Sequence, residues 1–337
     1  NDRKRHNLDV NAREFVPSCY NKSAYEVDSG TGSGESEENS DPEPEREFFS
    51  TPSESDEGIL CADFKSFIVI KTTKINTVKK ECARCRKIFY TNEEGEHIHV
   101  EECFYHWGKY RMTSTYSNKW TCCENSDANS NGCTKAAVHV FNTWEPNYGC
   151  YDGFIQTPYP LHKANDGDYG VYGIDCEMCY TTCGLEVTRV TIVDICGTVV
   201  YDTFVKPNGK IIDYATRFSG ITEEHMIGVT TTLHDVHQYM MSFISSETIL
   251  IGHGLENDLR ALRIIHSKII DTSILFKHKY LTNGSDMSPV RLSLKTLVRN
   301  ELNRSIQVGP HDSTEDASIV VELVLRKVWN DIFPRLN

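Results

Sequence analysis

The chain has 337 residues and a formal net charge of −13. That length provides for about two domains plus tails, and the absence of any run of about 18 apolar residues argues against a membrane span. The acidity is concentrated in residues 1–58, which hold 15 Asp/Glu against 6 Lys/Arg. The remainder is nearly balanced in charge, so the acidic total does not exclude a nucleic acid as a partner.

Residues 1–58 are predicted to be a disordered acidic tail. Ser, Glu, Gly and Pro dominate residues 18–58, and such a composition cannot bury enough apolar surface to offset the entropy of ordering. Only the stretch "NLDVNAREFVP" at 7–17 carries several apolar residues. It is too short to fold alone and indicates a partner-binding segment.

Residues 59–141 contain a Cys/His-rich block. The pair Cys82 and Cys85 has the spacing of a zinc half-site, and Cys103 with His106 offers a second half-site 18 residues further on. Eight candidate ligands are present, enough for one or two structural Zn²⁺ ions in tetrahedral sites. They are Cys82, Cys85, Cys103, His106, Cys122, Cys123, Cys133 and His139.

Several alternatives within this block stay open from the sequence. His97 and His99 compete as ligands, although they could also lie on a solvated surface strand. Either of the adjacent residues Cys122 and Cys123 could be a buried thiol. The pairing of ligands, and whether the block contacts RNA or protein, is not determined.

Residues 142–165 are rich in Pro, Gly, Asn and Asp and are predicted to be a linker. Residues 166–337 then show the pattern of an α/β domain. Strands are predicted at 171–178, 187–195, 199–205, 248–254 and 268–276, and helices at 232–244, 255–266, 292–303 and 313–332. Three antiparallel strands followed by alternating helix and strand indicate a ribonuclease-H-like fold with a mixed five-stranded sheet.

Four acidic residues lie where they could meet in such a fold. Asp175 and Glu177 are two apart on the first strand, so both carboxylates point to one face of the sheet. Asp258 and Asp316 each lie in the first turn of a predicted helix, and His311 precedes the second of them. Carboxylates suit hard divalent cations, two such ions can clamp a phosphoryl transfer, and an imidazole can accept the proton of the attacking water.

The segments "YGIDCEMC", "DYATRFSGIT", "ILIGHGLENDLRALRIIHSKIIDTSILF" and "GPHDSTEDASIVVELVLRKV" resemble the DEDDh 3′→5′ exonucleases, and most of all the RNA exonuclease and GOR-antigen branch. The resemblance covers about residues 166–335. It implies that two Mg²⁺ (or Mn²⁺) ions are held by the four carboxylates, and that His311 is the general base. The four metal-binding positions are Asp175, Glu177, Asp258 and Asp316.

The same resemblance implies a site for the terminal nucleotide formed by Met178 and by Gly220 and Ile221 of "RFSGIT". A core role for Met178 is an equal alternative. The Cys/His block likewise resembles the one that precedes the nuclease in some animal RNA exonucleases.

The segment "LDVNAREFVP" resembles the motif by which many mRNA-handling proteins bind the MLLE domain of cytoplasmic poly(A)-binding protein. Asp9 stands where that motif has Asn. Its hydrophobic anchors would be Phe15 and Leu8. The matching positions are Leu8, Ala12, Glu14, Phe15 and Pro17.

Together these resemblances imply a 3′→5′ exoribonuclease that releases 5′-mononucleotides and acts on RNA with a free 3′ end, in mRNA decay or poly(A) shortening. No membrane association is expected. A cytoplasmic location is expected, with a nuclear one left open. The alternatives are a nuclear exonuclease that processes stable RNAs and a non-catalytic zinc-module adaptor. A DNA substrate is also open, because the predicted chemistry does not depend on the 2′-hydroxyl.

Overall fold

A computed structural model describes residues 76–112, 117–142, 153–276, 291–307, 309 and 311–333. The predicted acidic tail with its motif at 7–17 lies outside the described residues. Of the helices that are described, none is both long and apolar enough to cross a bilayer.

The Cys/His block is built from three short two-stranded antiparallel sheets, in which β1 pairs with β2, β3 with β6 and β4 with β5. Its apolar core is small and centres on Cys82, Phe89, Cys103 and Phe141. So little buried apolar surface is typical of a small module that needs metal ions or disulfides for stability. The strands are β1 Val78–Glu81, β2 Ile88–Thr91, β3 Cys103–Tyr105, β4 Tyr110–Met112, β5 Asn118–Trp120 and β6 Thr134–Ala136.

The C-terminal domain begins within the predicted linker. Strand β7 (Ile155–Gln156) pairs in parallel with β13 (Ile264–Ile265), and the neighbouring Thr157 is buried. The linker expected at 142–165 is therefore too long at its C-terminal end, because residues 155–157 pack with the following domain.

The main sheet of this domain confirms the predicted ribonuclease-H-like fold. Its strand order is β10-β9-β8-β12-β14. The strands β8, β9 and β10 run antiparallel, whereas β12 and β14 run parallel to β8. A short sixth strand, β11, pairs with the end of β8. The bounds are β8 Val171–Thr181, β9 Gly184–Val193, β10 Val199–Phe204, β11 Ile211–Asp213, β12 Ile249–Gly252 and β14 Ile269–Asp271.

Helices cover both faces of the sheet. The predicted bounds of one helix and of one strand were partly wrong. The helix predicted at 255–266 ends at Ala261, because Arg263 takes a left-handed backbone (φ 51°) and the apolar residues after it form β13. The strand predicted at 268–276 stops at Asp271, whose side chain caps a short helix. The helices are α1 Thr216–Ser219, α2 Glu223–Met226, α3 Leu233–Met240, α4 Glu256–Ala261, α5 Thr272–Leu275, α6 Leu294–Leu302 and α7 Ser313–Ile332.

Helix α7 packs directly on β8, and Gly173 allows this close approach. A β-carbon at Gly173 would lie 2.4 Å from the carbonyl oxygen of Ala317. Ala317 also belongs to the apolar cluster that joins α7 and α6 to the sheet. The start of α7 is therefore held close to the middle of β8.

Candidate active site

Strand β8 presents Asp175 and Glu177 on the face that α7 covers. The intervening Cys176 points the other way, into the apolar cluster that includes Ile174 and Val190. Glu177 is 5% exposed and Asp175 is partly buried. The period of two along a strand places the two carboxylates side by side, as expected.

Two helix starts bring further carboxylates to the same strand. Asp258, in the first turn of α4, accepts a hydrogen bond from the Cys176 backbone N–H at 2.9 Å through Oδ1. Asp316, in the first turn of α7, is buried and directly precedes Ala317, whose carbonyl oxygen faces Gly173 of β8. Acidic residues at helix N-termini are favoured by the helix dipole, so the backbone helps to hold negative charge here.

Burial and mutual repulsion raise the pKa values of the carboxyl groups. The pKa of Asp175 lies well above its usual range because of burial and then the charges of Asp258, Asp316 and Glu177. Burial, followed by repulsion from Asp316, raises the pKa of Glu177 to about 8. Burial raises the pKa of Asp258 to about 7 and that of Asp316 to about 6. A set of acids this costly to ionise together is typical of a functional site rather than of a structural ion pair.

Two oxygens of this set are buried without a hydrogen-bond partner among the described residues. They are Glu177 Oε1 and Asp316 Oδ1. Buried carboxylate oxygens are seldom left unpaired unless an ion completes their environment. Hard oxygen donors in a partly buried acidic cluster fit Mg²⁺ or Mn²⁺, so the donor set is consistent with the predicted metals.

His311 lies beside this cluster, where the sequence predicted the general base. Its Nδ1 is 3.6 Å from Asp316 Oδ2, and its side chain is 35% exposed. Burial and the charge of Lys295 lower the pKa of His311. The imidazole is therefore neutral at physiological pH, which is the form that can accept a proton.

Sequence reasoning missed two polar residues that contact the site. Gln307 donates from Nε2 to Asp316 Oδ2 at 2.8 Å. Arg189 lies opposite Glu177 in the register of β8 and β9, and its charge counteracts the rise in the pKa of Glu177. Gln307 carries no local sequence signal, but an Arg in a strand next to a DxE strand could have been singled out.

The comparisons with known proteins agree with this geometry. The exonuclease family model RNase_T matches residues 173–324, the segment that holds all five predicted catalytic residues. Residues 173–324 form an exonuclease domain. Several similar proteins are named as RNA exonucleases.

Human RNA exonuclease 1 homolog is 42% identical over 257 residues, which cover 75% of this chain and 20% of that protein. RNA exonuclease 3 of Schizosaccharomyces pombe is 37% identical, over 74% of this chain and 44% of that protein. RNA exonuclease 3 of Candida albicans is also 37% identical, over 73% and 58%. The chain thus spans less than two thirds of the length of these relatives.

These matches extend beyond the exonuclease domain. Three quarters of the chain is a longer stretch than residues 166–337, so the similarity includes much of the Cys/His block.

Among solved structures, the protease and nuclease unit of Neurospora crassa Pan2 aligns with a TM-score of 0.44 at 19% identity, over 76% of this chain and 46% of that one.

The residues expected to cradle a terminal nucleotide lie around the end of β8 of the exonuclease domain. Met178 follows a bulge after Glu177 and packs against the apolar core. Gly220 ends α1 with a left-handed backbone (φ 64°), and Ile221 is buried. The core role is thus observed for Met178 and Ile221, and their contact with a nucleotide stays a prediction.

The eight predicted zinc ligands gather into two groups of four, and within each group the ligand atoms all lie within 4.8 Å of one another. In the described residues these are the groups with that compactness, whereas the four carboxylates are spread more widely. The first group is Cys82, Cys85, Cys103 and His139, and the second is His106, Cys122, Cys123 and Cys133.

Distances within the groups suit tetrahedral zinc. The Cys82 and Cys103 sulfurs are 3.7 Å apart, and those of Cys122 and Cys133 are 3.5 Å apart. Zn–S bonds of about 2.3 Å at tetrahedral angles separate two sulfurs by roughly 3.8 Å. The Nδ1 atom of His106 lies 3.4 Å from Cys122 Sγ, so it is this nitrogen that faces the group.

The half-site predicted from Cys103 and His106 is divided between the two groups. Cys103 belongs to the first group and His106 to the second. The reason is geometric, because β3 is extended and residues three apart on a strand point to opposite faces. His97 is not a ligand, since it stacks on Phe89 and hydrogen-bonds the carbonyl oxygen of His139 at 2.7 Å.

Proposed function

We propose that this chain is a metal-dependent 3′→5′ exoribonuclease that releases 5′-mononucleotides. The observation that carries the proposal is the buried set of four carboxylates with raised pKa values beside a neutral imidazole. The RNA exonucleases to which the chain is similar support an RNA substrate.

Asp175, Glu177, Asp258 and Asp316 would hold two divalent ions, which supply charge stabilisation to the pentacovalent phosphate and its leaving oxygen. Because they are buried, these carboxyl groups lose their protons less readily than usual. They would have to be deprotonated to hold the cations. The unpaired Glu177 Oε1 and Asp316 Oδ1 are ready donors. The Gln307 amide orients Asp316 by occupying its other oxygen.

His311 would take the proton from the attacking water. Its lowered pKa keeps the ring unprotonated near neutral pH, and its partial exposure leaves it accessible to substrate and solvent. Asp316, 3.6 Å away, then stabilises the imidazolium that forms.

The test is a nuclease assay with 5′-labelled RNAs, one ending in a run of A and one of mixed sequence, in Mg²⁺ or Mn²⁺. We expect a ladder that shortens from the 3′ end and is absent for Asp175→Ala. A matched DNA oligonucleotide tests the sugar preference. No ladder with any substrate, from protein of native circular dichroism, would favour the adaptor function for the chain.

We further propose that residues 7–17 bind the MLLE domain of cytoplasmic poly(A)-binding protein, which places the enzyme on mRNA in the cytoplasm. The acidic segment that follows would act as a tether and raise the local concentration of the nuclease at the mRNA 3′ end. Poly(A) shortening or mRNA decay is the task that this arrangement serves.

A further inference from the structure

The Cys/His block contacts the exonuclease domain at three separate points. Arg84 lies between two candidate metal ligands, Trp107 lies directly after one, and Gly95 lies in a turn of the block. All three contacts meet the end of β8, the turn that follows it, or the segment from Asp213 to Phe218. The contact residues from the block are Arg84, Trp107 and Gly95.

The first contact is a buried arginine. Arg84 lies between the ligands Cys82 and Cys85, and its backbone N–H is 3.4 Å from Cys82 Sγ. Its side chain is only 9% exposed and donates to Asp213 Oδ2 of the exonuclease domain at 2.7 Å. A buried guanidinium is costly unless it is paired, so this ion pair depends on the block staying in place.

Two aromatic rings enclose the same guanidinium. It lies 4.9 Å from the ring centre of Tyr105, which is in the Cys/His block, and 4.9 Å from that of Tyr180 on β8. The planar guanidinium of arginine can stack on aromatic faces, whereas the ammonium of lysine is a point charge. Arg84 is therefore held by both domains at once.

The second contact comes from the other Cys/His group. Trp107 follows the ligand His106, and the Arg217 guanidinium lies 3.8 Å from the centre of its ring. Phe218 packs edge-on against the same indole, with ring centres 6.4 Å apart. Arg217 and Phe218 belong to α1, the short helix of the exonuclease domain that follows Asp213.

The third contact is a close backbone approach. Gly95 has a left-handed backbone (φ 81°), and a β-carbon there would lie 1.7 Å from the carbonyl oxygen of Thr182. Thr182 is in the turn between β8 and β9. No side chain fits between the two backbones at this point, so the block sits firmly on the β8–β9 hairpin.

The first two contacts hold residues 213–221, named here the α1 segment. Asp213 Oδ1 accepts from the Ala215 backbone N–H at 2.7 Å, where the chain turns into α1. Cys179, two residues after Glu177 on β8, contacts the Tyr214 carbonyl oxygen at 3.3 Å. The α1 segment thus connects the Cys/His block to the strand that bears the acidic site.

We propose that the Cys/His block, when its two groups hold metal, is a structural support of the exonuclease domain that fixes the α1 segment next to β8 through Arg84 and Trp107. The consequence for catalysis rests on the proposed exonuclease function: since Gly220 and Ile221 are its predicted nucleotide-binding residues, a loosened segment raises KM more than it lowers kcat. The block then serves the enzyme directly, besides any separate partner.

Hydrogen exchange of the full chain tests the proposal without reference to activity. Arg84→Met is expected to raise amide exchange in residues 213–221 at least tenfold, with two zinc ions retained and exchange in β9 unchanged. Arg86→Met is the matched control, because Arg86 lies in the same turn but is largely exposed, and among the described residues its side chain reaches only Glu81, at 3.4 Å. It should behave as the wild type.

A second variant covers the case in which Arg84→Met disturbs the metal group. Asp213→Asn lies in the exonuclease domain and keeps the Oδ1 acceptor for Ala215, but it removes the negative charge and replaces the Oδ2 acceptor of Arg84 with an NH2 group that cannot accept. It should raise exchange in 213–221 and raise KM at least threefold with kcat within twofold. Wild-type exchange in Asp213→Asn would overturn the proposal, as would equal exchange in the two arginine variants.

These outcomes separate the two proposals. If the wild type shows no nuclease activity but the exchange changes occur, the support function stands and the proposed enzyme function fails. If the wild type is active and exchange does not change, the support function alone fails.

Discussion

Arg189 on β9 lies directly opposite Glu177 on β8 and is the cation that joins the sheet to the start of α7. It donates to both oxygens of Asp202 at 2.9 and 2.8 Å and to Asp312 Oδ1 at 3.1 Å. Asp312 is the N-cap of α7, the helix that carries Asp316. One side chain therefore offsets part of the negative charge of the site and helps to position one of its carboxyl groups.

We expect Arg189→Met to lower kcat/KM by about 10- to 100-fold, because a shift of roughly 1 Å in a catalytic group has costs of this order. It should also lower Tm, since Asp202 loses the partner that keeps its pKa low. Arg189→Lys keeps the charge but not the bidentate geometry. Its kcat/KM and Tm should lie between those of the wild type and those of Arg189→Met. Steady-state kinetics and thermal unfolding measure both effects. Wild-type kcat/KM in Arg189→Met would show that α7 is positioned without it.

Glu177→Gln should abolish activity, by about 10³-fold or more, yet raise Tm in buffer without added Mg²⁺ or Mn²⁺. The reason is that the carboxylate is buried and repelled by Asp316, so the uncharged amide removes a cost of ionisation. The expected gain is at least ~1 kcal/mol, or about 2–4 °C for a domain of this size. Asp331→Asn, at the far exposed end of α7, is the control and should change neither quantity. A fall in Tm of Glu177→Gln would contradict this account.

The same repulsion predicts how stability depends on pH. A carboxyl group whose pKa is raised in the folded state stabilises the fold fully below its unfolded pKa, and this contribution is lost as pH rises through the folded value. For Glu177, whose pKa is raised from 4.5 to about 8, the loss extends up to about pH 8. Without added Mg²⁺ or Mn²⁺, Tm should therefore fall between pH 5.5 and 8.5. Added Mg²⁺ or Mn²⁺ should raise Tm more at pH 8.5 than at pH 5.5. A metal-induced gain that is the same at both pH values would argue against cation binding by these acids.

The assignment of Cys103 and His106 to different metal groups can be tested by counting zinc. The wild type should hold two zinc ions per chain, measured by elemental analysis. Cys103→Ser with His139→Ala removes two ligands of one group and should leave one ion. Cys103→Ser with His106→Ala damages both groups and should leave fewer than one. If this second pair instead retained one ion, the two residues would share a site.

The proposed tether predicts that Phe15→Ala weakens binding of the chain to the isolated MLLE domain at least tenfold, because an aromatic anchor supplies most of the affinity of such a short segment. Titration calorimetry of wild-type and variant chains measures this directly. Tyr20→Ala, outside the motif, is the control. The same dissociation constant for wild type and Phe15→Ala would rule out the assignment. Nuclease activity on free RNA should be unaffected by either change.

Local sequence pattern was sufficient for the main strands and the longer helices of the exonuclease domain, and for the candidate acidic residues. The period of two on β8 placed Asp175 and Glu177 on one face, and α7 has the predicted bounds 313–332. The order of strands and helices was enough to predict the mixed sheet. Such features depend on neighbours along the chain, so they are visible in one sequence.

Tertiary structure alone decided which of these residues meet. Cys103 and His106 diverge because β3 is extended, and His139 joins the first group from 36 positions away in the chain. Gln307, Arg189 and Arg84 owe their roles to partners on other elements. The sequence by itself determined which residues are candidate zinc ligands and candidate site acids, whereas long-range packing determined their partners. The physical reason is that spacing along the chain sets the direction of a side chain but not what lies opposite it.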